Sequence, residues 1–158
     1  MSISAWLAMV TAIDSSVLLD VLLDDPLHAP ASLAALRRAS TEGSLVISET
    51  TLVEIVPALT PEELPTFLAD WKLTFVPSTQ AVALLAGEMF RTHLARGGKR
   101  GRVVPDFLIG AHAQQLADRL LARDRGYQSL RKFVPSAPWP PIPCQPTPVR
   151  TVAVGAAG

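Results

Sequence analysis

The segment that most constrains this chain is MVTAIDSSVLLD, residues 9 to 20, where an apolar strand pattern stops at Asp14 and a helix pattern follows. Residues 9 to 13 are typical of a buried strand, and Ser15 and Ser16 offer hydroxyl groups that suit the start of a helix. In open α/β sheets, ligands bind beyond the carboxyl ends of the strands. The segment therefore predicts that Asp14 lies at a ligand-binding edge, although Asp14 could also act only as the N-cap of the following helix.

Strand and helix patterns alternate along the rest of the chain. Further strands are predicted at 45–47, 73–76 and 120–122, with one more short strand at 132–134. Helices are predicted to begin near residues 16, 31, 48, 61, 78 and 105. This alternation indicates a three-layer α/β/α sandwich around a mainly parallel central sheet of four to five strands.

The length of 158 residues fits one domain. We expect this domain to extend from residue 1 to residue 134. The segment 135–158 begins PSAPWPPIPCQPTP, and so many prolines disfavour both a helix and a central strand. We therefore expect 135–158 to be an extended or disordered tail.

The charges are distributed unevenly. Residues 1–70 carry ten acids and two bases, a formal charge of −8, whereas residues 71–158 carry four acids and twelve bases, a formal charge of +8. This asymmetry is compatible with a polyanionic partner and an acidic site in one molecule. The single cysteine permits no internal disulfide, and the chain has neither a signal peptide pattern nor an apolar run of about 18 residues. We therefore expect a cytoplasmic protein without a membrane partner.

Four acids occur at or near the ends of predicted elements: Asp14, Glu54, Asp106 and Asp124. Gathered carboxylates repel one another unless cations or protons offset their charge, and carboxylate oxygens favour Mg²⁺ or Mn²⁺. Each acid also has a simpler explanation. Asp106 suits a helix N-terminus through the helix dipole alone, Asp124 between two arginines is typical of a surface loop, and Glu54 is informative only if it is buried. No single one of these acids predicts a metal site, but the four acids together do.

A basic loop, RGGKRGR at residues 96–102, precedes Pro105. Lys99, Arg100 and Arg102 suit contacts with the phosphates of a nucleic acid, which provide affinity without reading bases. A solvated loop without function is the alternative. We expect these three side chains to bind the substrate backbone.

Four motifs carry a resemblance to a known family: DSSVLLDVL, SETTLVEI, VVPDFLIGAHA and LLARDRGY. Their order and spacing resemble the acidic motifs of PIN-domain nucleases, especially VapC-type toxins of bacterial toxin–antitoxin pairs, from about Val10 to Tyr127. The resemblance implies a metal-dependent endoribonuclease that hydrolyses RNA phosphodiester bonds. It also implies a homodimer or a toxin–antitoxin hetero-oligomer, with a cognate antitoxin as the silencing partner.

The resemblance assigns roles residue by residue. Asp14 and Asp106 would be the principal ligands of Mg²⁺ or Mn²⁺, and Glu54 and Asp124 would complete the acidic pocket. Ser15 would shape the first turn and take part in substrate binding. The chain departs from the family in having Ala122 where a Thr or Ser often stands two residues before the fourth acid.

Two other function classes fit parts of the pattern. The first is a catalytically weak PIN-like module that mainly binds its antitoxin or RNA. The second is a haloacid-dehalogenase-like phosphatase with Asp14 as nucleophile, but that class requires an aspartate at position 16, where this chain has serine. A receiver-like domain is disfavoured because Asp24 and Asp25 follow a helix and not a strand.

Overall fold

A computed structural model describes residues 8–101, 103–123 and 150–153. The described residues form strands β1 Met9–Ile13, β2 Gly43–Ile47, β3 Leu73–Phe75, β4 Arg119–Ala122 and β5 Arg150–Ala153. They also form helices α1 Ser15–Leu22, α2 Ala29–Glu42, α3 Glu49–Ile55, α4 Glu63–Asp70, α5 Gln80–Ala95 and α6 Val104–Leu116. After α3 the chain continues as a short 3-10 helix, Val56–Ala58, which contains Pro57.

The five strands form one sheet in the order β3-β2-β1-β4-β5, and every neighbouring pair is parallel. The chain builds β1, β2 and β3 outward in one direction, and β4 and β5 then lie on the other side of β1. In sheets of this kind the crevice for ligands lies where the strand order reverses. That point is the carboxyl end of β1 and β4, where Ile13 is paired with Leu121.

Helices cover both faces of the sheet. On one face Ile13, Ile47 and Leu121 belong to a core that includes residues of α1, α2 and α3 and is flanked by residues of α4. On the other face Ala12 and Leu120 pack with α6. Helix α5 packs against α6 in a third cluster of apolar residues. The alternating side chains of β1, β2 and β4 therefore face helices on both sides of the sheet, which confirms the predicted three-layer α/β/α sandwich.

Helix α2 passes directly into β2 at Gly43, which is paired with Met9 at the start of β1. A Cβ atom on residue 43 would lie 1.9 Å from the carbonyl oxygen of Met9. The close approach of the two backbones therefore requires glycine at this position.

Residues 150–153 belong to the segment expected to be an extended or disordered tail, and they form the edge strand β5, which pairs in parallel with β4. This part of the chain lies beyond the last proline, and Thr151 and Val152 are β-branched residues that favour a strand. The predicted strand at 132–134 lies outside the described residues, and the domain boundary at 134 stays a prediction. None of the described helices is both long enough and apolar enough to cross a membrane.

Candidate active site

Asp14 follows β1 directly and is 4% exposed. Its backbone N–H donates to the carbonyl oxygen of Leu121 over 2.9 Å, so the residue continues the pairing of β1 with β4. Its side chain caps α1, because Oδ2 accepts a hydrogen bond from the Ser16 N–H (3.2 Å) and another from the Ser16 hydroxyl. The helix is thus capped by Asp14, and the expectation that Ser15 and Ser16 supply the cap is wrong. A short acceptor at the strand end suits this role better than a residue already within the helix.

Helix capping by itself uses only part of what a carboxylate can accept. A carboxylate has two oxygens with about four acceptor positions, and the two bonds from Ser16 engage only Oδ2. The cap reading and the metal-ligand reading are therefore compatible in this structure.

Glu54 lies on α3 and its side chain is exposed. From the sequence, Glu54 was expected to indicate a functional site only if it was buried. Its Oε2 accepts a hydrogen bond from the hydroxyl of Ser15, a buried residue next to Asp14. The bond joins residues 39 positions apart in the chain. An exposed glutamate is therefore held beside the turn that follows β1.

Helix α3 is tied to the end of β1 by a second contact. Ser48 caps α3 by accepting from the Thr51 N–H (3.3 Å), and the buried Thr51 hydroxyl donates to the carbonyl oxygen of Ile13 (3.2 Å). Both Asp14 and Glu54 therefore extend from backbone that is fixed at the carboxyl edge of the sheet.

Asp106 lies in the first turn of α6 and is exposed. The other end of α6 connects to β4 through Asp118, whose N–H donates to the Val10 carbonyl (2.9 Å) and whose Oδ2 accepts from the Val10 N–H (2.7 Å). That connection lies at the amino edge of the sheet, and a helix of 13 residues is about 20 Å long. Since α6 packs along the sheet, its first turn lies toward the carboxyl edge, as Asp14 does.

Asp124 lies outside the described residues, which stop at Arg123 and continue at Arg150. The Arg123 N–H donates to the Ser16 hydroxyl over 3.3 Å. The strand that leads to the fourth predicted acid therefore ends beside the turn that holds Asp14.

The donor chemistry of Asp14, Glu54 and Asp106 fits a divalent cation, because all three offer carboxylate oxygens at one edge of the sheet. Among the described residues, however, these three do not bring one oxygen each within 4.8 Å of one another. The described group that meets this distance is Asp20, Asp25 and His28, at the other end of α1.

Asp20 was not predicted from the sequence to matter. Its carboxylate is buried (3% exposed), and Oδ2 accepts from the Ser32 hydroxyl (2.6 Å) and pairs with Nε of Arg123 (3.1 Å). The available signal was an acid inside the apolar run VLLDVLL, where a charge is costly without partners. Asp20 therefore joins α1 to α2 and to the end of β4.

The carboxyl groups of Asp25 and Glu49 have pKa values below their ordinary values. The backbone N–H of His28 donates to Asp25 and lowers the pKa of that carboxyl group. Burial raises the pKa of Glu49, but hydrogen bonds from Ser78 and the start of α3 outweigh burial, and the pKa lies below its ordinary value. Hydrogen bonds to the charged form have this effect. Both groups are therefore ionised near neutral pH.

The basic loop is folded against an aromatic cluster at the end of α5. Nε2 of His93 lies 3.0 Å from the carbonyl oxygen of Lys99, a hydrogen bond in which the ring N–H donates. A Cβ atom on Gly98 would lie 2.3 Å from the His93 ring, so the loop backbone passes directly over the imidazole. His93 in turn packs edge-on against Phe107 of α6, with 5.6 Å between ring centroids. The loop is therefore anchored to the helix that carries Asp106.

Three of the four predicted substrate-binding residues, Lys99, Arg100 and Arg102, belong to this loop, and the fourth, Ser15, begins α1. Lys99 and Arg100 are exposed, and the Arg100 guanidinium lies 5.6 Å from the centroid of the Phe90 ring. The side chain of Arg102 lies outside the described residues. A cation held over an aromatic ring still presents its N–H groups to solvent.

Solved structures with a similar fold are toxin–antitoxin complexes. VapBC2 from Rickettsia felis, bound to a DNA fragment from the promoter, matches with a TM-score of 0.62 and 18% identity, over 80% of this chain and 96% of that chain. DNA-bound VapBC from Salmonella typhimurium matches with a TM-score of 0.61 and 14% identity, over 93% and 99%. VapBC-1 from nontypeable Haemophilus influenzae matches with a TM-score of 0.60 and 15% identity, over 80% and 95%.

At these identities the similarity concerns the fold. No curated protein matches the chain in sequence. The family model of the PIN domain, however, matches residues 11–132, which include most of β1, all of β2, β3 and β4, and all four predicted acids. This match covers most of the sequence and confirms the resemblance carried by the four motifs, and the chain belongs to the PIN domain family.

Proposed function

We propose that this chain is an Mg²⁺- or Mn²⁺-dependent endoribonuclease and the toxin of a toxin–antitoxin pair. Asp14, Glu54, Asp106 and Asp124 would form the acidic site, with Asp14 and Asp106 as the metal ligands. The observation that carries the proposal is the bond from Ser15 to Glu54, which brings the second motif to the turn of the first at the point where the strand order reverses. That point is the common ligand-binding position of open α/β sheets.

The residues of the chain would act by holding charge in fixed positions. Asp14 is rigid because its backbone belongs to the sheet and its Oδ2 is held by Ser16. Glu54 is directed by the Ser15 hydroxyl. A bound divalent cation would supply activation of a water molecule and stabilisation of the leaving oxygen of the phosphodiester. The acids therefore need no nucleophilic role of their own.

The substrate backbone would lie along the basic loop. Lys99 and Arg100 project from a loop anchored by His93 to the side of α6 near Asp106, and Arg102 and Ser15 are the further proposed contacts. Phosphate contacts of this kind bind RNA without base selectivity.

The proposed protein partner is a cognate antitoxin. The three solved structures described above are VapBC complexes, and the toxin would act in the cytoplasm as a homodimer or within such a hetero-oligomer. Leu23, Leu27 and Val53 are large apolar side chains that are more than 60% exposed, and surfaces of this kind suit burial by a protein partner.

The test of the proposed activity is cleavage of a fluorescent single-stranded RNA with Mn²⁺ or with EDTA. We expect EDTA to abolish cleavage and Asp106→Asn to reduce kcat/KM about 100-fold, because a neutral amide is a weaker ligand for a hard cation. Asp70→Asn, an exposed acid at the end of α4, is the matched control and should retain activity. Cleavage that persists in EDTA would contradict the proposal, and RNA binding without any cleavage would favour the binding-module alternative.

The basic loop has its own expected result. Lys99→Ala and Arg100→Ala should each weaken RNA binding and lower the slope of log affinity against log salt concentration by about 1, because each removes one phosphate contact. Fluorescence anisotropy between about 50 and 200 mM NaCl measures this slope. Arg38→Ala is the control, since Arg38 is an exposed base on α2. Helix α2 packs on the face of the sheet opposite to α6 and the basic loop. Equal slopes for all three variants would exclude the loop as a phosphate-binding surface.

A further inference from the structure

Ser16 stands between the first acid and the end of β4. Its hydroxyl donates to Oδ2 of Asp14 and accepts a hydrogen bond from the backbone N–H of Arg123 over 3.3 Å. Its own N–H donates to the same oxygen of Asp14 over 3.2 Å. One small side chain thus joins two segments that are 107 positions apart in sequence.

These bonds restrict the carboxylate of Asp14. The terminal torsion of an aspartate is broad, so an unrestrained carboxylate turns easily about its Cβ–Cγ bond. Two donors on one oxygen fix the plane of the group and thereby the direction of the other oxygen. N–H capping alone supplies a single donor, and the Ser16 hydroxyl supplies the second.

The residue that donates a hydrogen bond to the Ser16 hydroxyl is held in place as well. Arg123, which donates to Ser16, is held through its guanidinium by the buried carboxylate of Asp20, four residues further along α1. Residues four apart lie on the same face of a helix. Ser32 also donates to Asp20, which keeps that carboxylate in place. The Ser16 hydroxyl therefore sits between two restrained groups and has one preferred orientation.

We infer that Ser16 is a positioning residue of the proposed metal site, whose hydroxyl orients the Asp14 carboxylate toward a divalent cation and couples it to the end of β4. The inference rests on the proposed function. Ser16 thereby places a hydroxyl from α1 at the end of β4. Removing a group that orients a metal ligand costs about 10- to 100-fold in metal affinity or activity.

The test compares Ser16→Thr with Ser16→Val, two side chains of the same shape that differ by the hydroxyl. Calorimetric titration with Mn²⁺ should give near wild-type affinity for Ser16→Thr and about 10- to 100-fold weaker affinity for Ser16→Val and Ser16→Ala. Ser40→Ala is the control, because Ser40 is an exposed serine of α2 that bonds only to the backbone of its own helix among the described contacts. For RNA cleavage, kcat should fall in the variants without the hydroxyl, while KM should stay unchanged.

The outcomes separate this inference from the proposed function. If the wild-type chain binds no Mn²⁺, or if Asp14→Asn binds it as tightly as wild type does, the proposed metal site itself is wrong. If wild type binds Mn²⁺ and Asp14→Asn does not, but Ser16→Val and Ser16→Ala bind like wild type, the positioning role of Ser16 is wrong. Thermal unfolding of each variant gives the folded fraction by which the affinities are corrected. A purely structural role would lower the unfolding midpoint and leave the corrected affinity unchanged.

Discussion

Asp14→Asn is expected to lower kcat/KM for RNA cleavage about 1,000-fold, equivalent to about 4 kcal/mol of lost transition-state stabilisation. The same substitution should reduce the free energy of unfolding by no more than about 0.5 kcal/mol, because asparagine caps a helix about as well as aspartate does. Asp14 is both the cap of α1 and the acid at the end of β1, and this variant removes the negative charge while it keeps the cap.

Asp14→Ala is the matched comparison. Alanine removes the cap as well as the charge, so the free energy of unfolding should fall by about 1 kcal/mol in addition to the loss of activity. Urea denaturation and the cleavage assay, applied to both variants, separate the two roles. If Asp14→Asn cleaves RNA like wild type and Asp14→Ala is only less stable, Asp14 is a helix cap and nothing more.

Gly43→Ala is expected to reduce the free energy of unfolding by about 2 to 3 kcal/mol, at the upper end of the usual cost of overpacking. The new Cβ atom would lie 1.9 Å from the carbonyl oxygen of Met9 and 2.6 Å from its nitrogen. These are backbone atoms of the neighbouring strand, so relief requires β1 and β2 to move apart at their first paired residues. Urea denaturation with a constant m-value measures the loss.

Gly87→Ala is the control for that prediction. Gly87 is an exposed residue inside α5, and an added Cβ there meets no atom within 4 Å. Alanine in a helix interior is favoured over glycine, so the free energy of unfolding of this variant should rise by about 0.5 to 1 kcal/mol. The same chemical change should therefore shift stability in opposite directions at the two sites. Destabilisation of equal size in both variants would show that contact with Met9 is not the cause.

Much of the fold follows from local patterns. Residues 9–13 were predicted as a strand and are β1, and the acid that follows lies at the carboxyl edge as expected. Helix starts were less certain, since several capping residues stand side by side. Ser78 was expected to open α5, but Thr79 caps it by accepting from the Val82 N–H over 3.3 Å. The caps were misassigned by one residue because backbone dihedral angles, and not residue types alone, decide which side chain reaches the helix.

The candidate site depended more strongly on tertiary structure. Glu54 is exposed, and from the sequence alone an exposed glutamate at this position indicates no function. The hydrogen bond from Ser15 is what places Glu54 beside Asp14. Asp20 appeared in the sequence as one acid in an apolar helix, and only the packing of α1 against β4 reveals its pairing with Arg123. A pattern of residue types indicates that a charge needs a partner, but not which partner it has.

The sequence by itself determined the alternating α/β class and the strand that ends at Asp14, since these follow from periodicity along the chain. It also contains the four motifs that carry the resemblance to the family. Only the tertiary structure decided the strand order, the addition of β5 from residues 150–153, and the hydrogen bond that the Arg123 N–H donates to Ser16. The physical reason is the sequence separation over which each kind of interaction acts. Helix and strand propensities act over a few residues, whereas the hydrogen bond from the Arg123 N–H to the Ser16 hydroxyl joins residues 107 positions apart, which meet only when the sheet has formed and α1 packs against it.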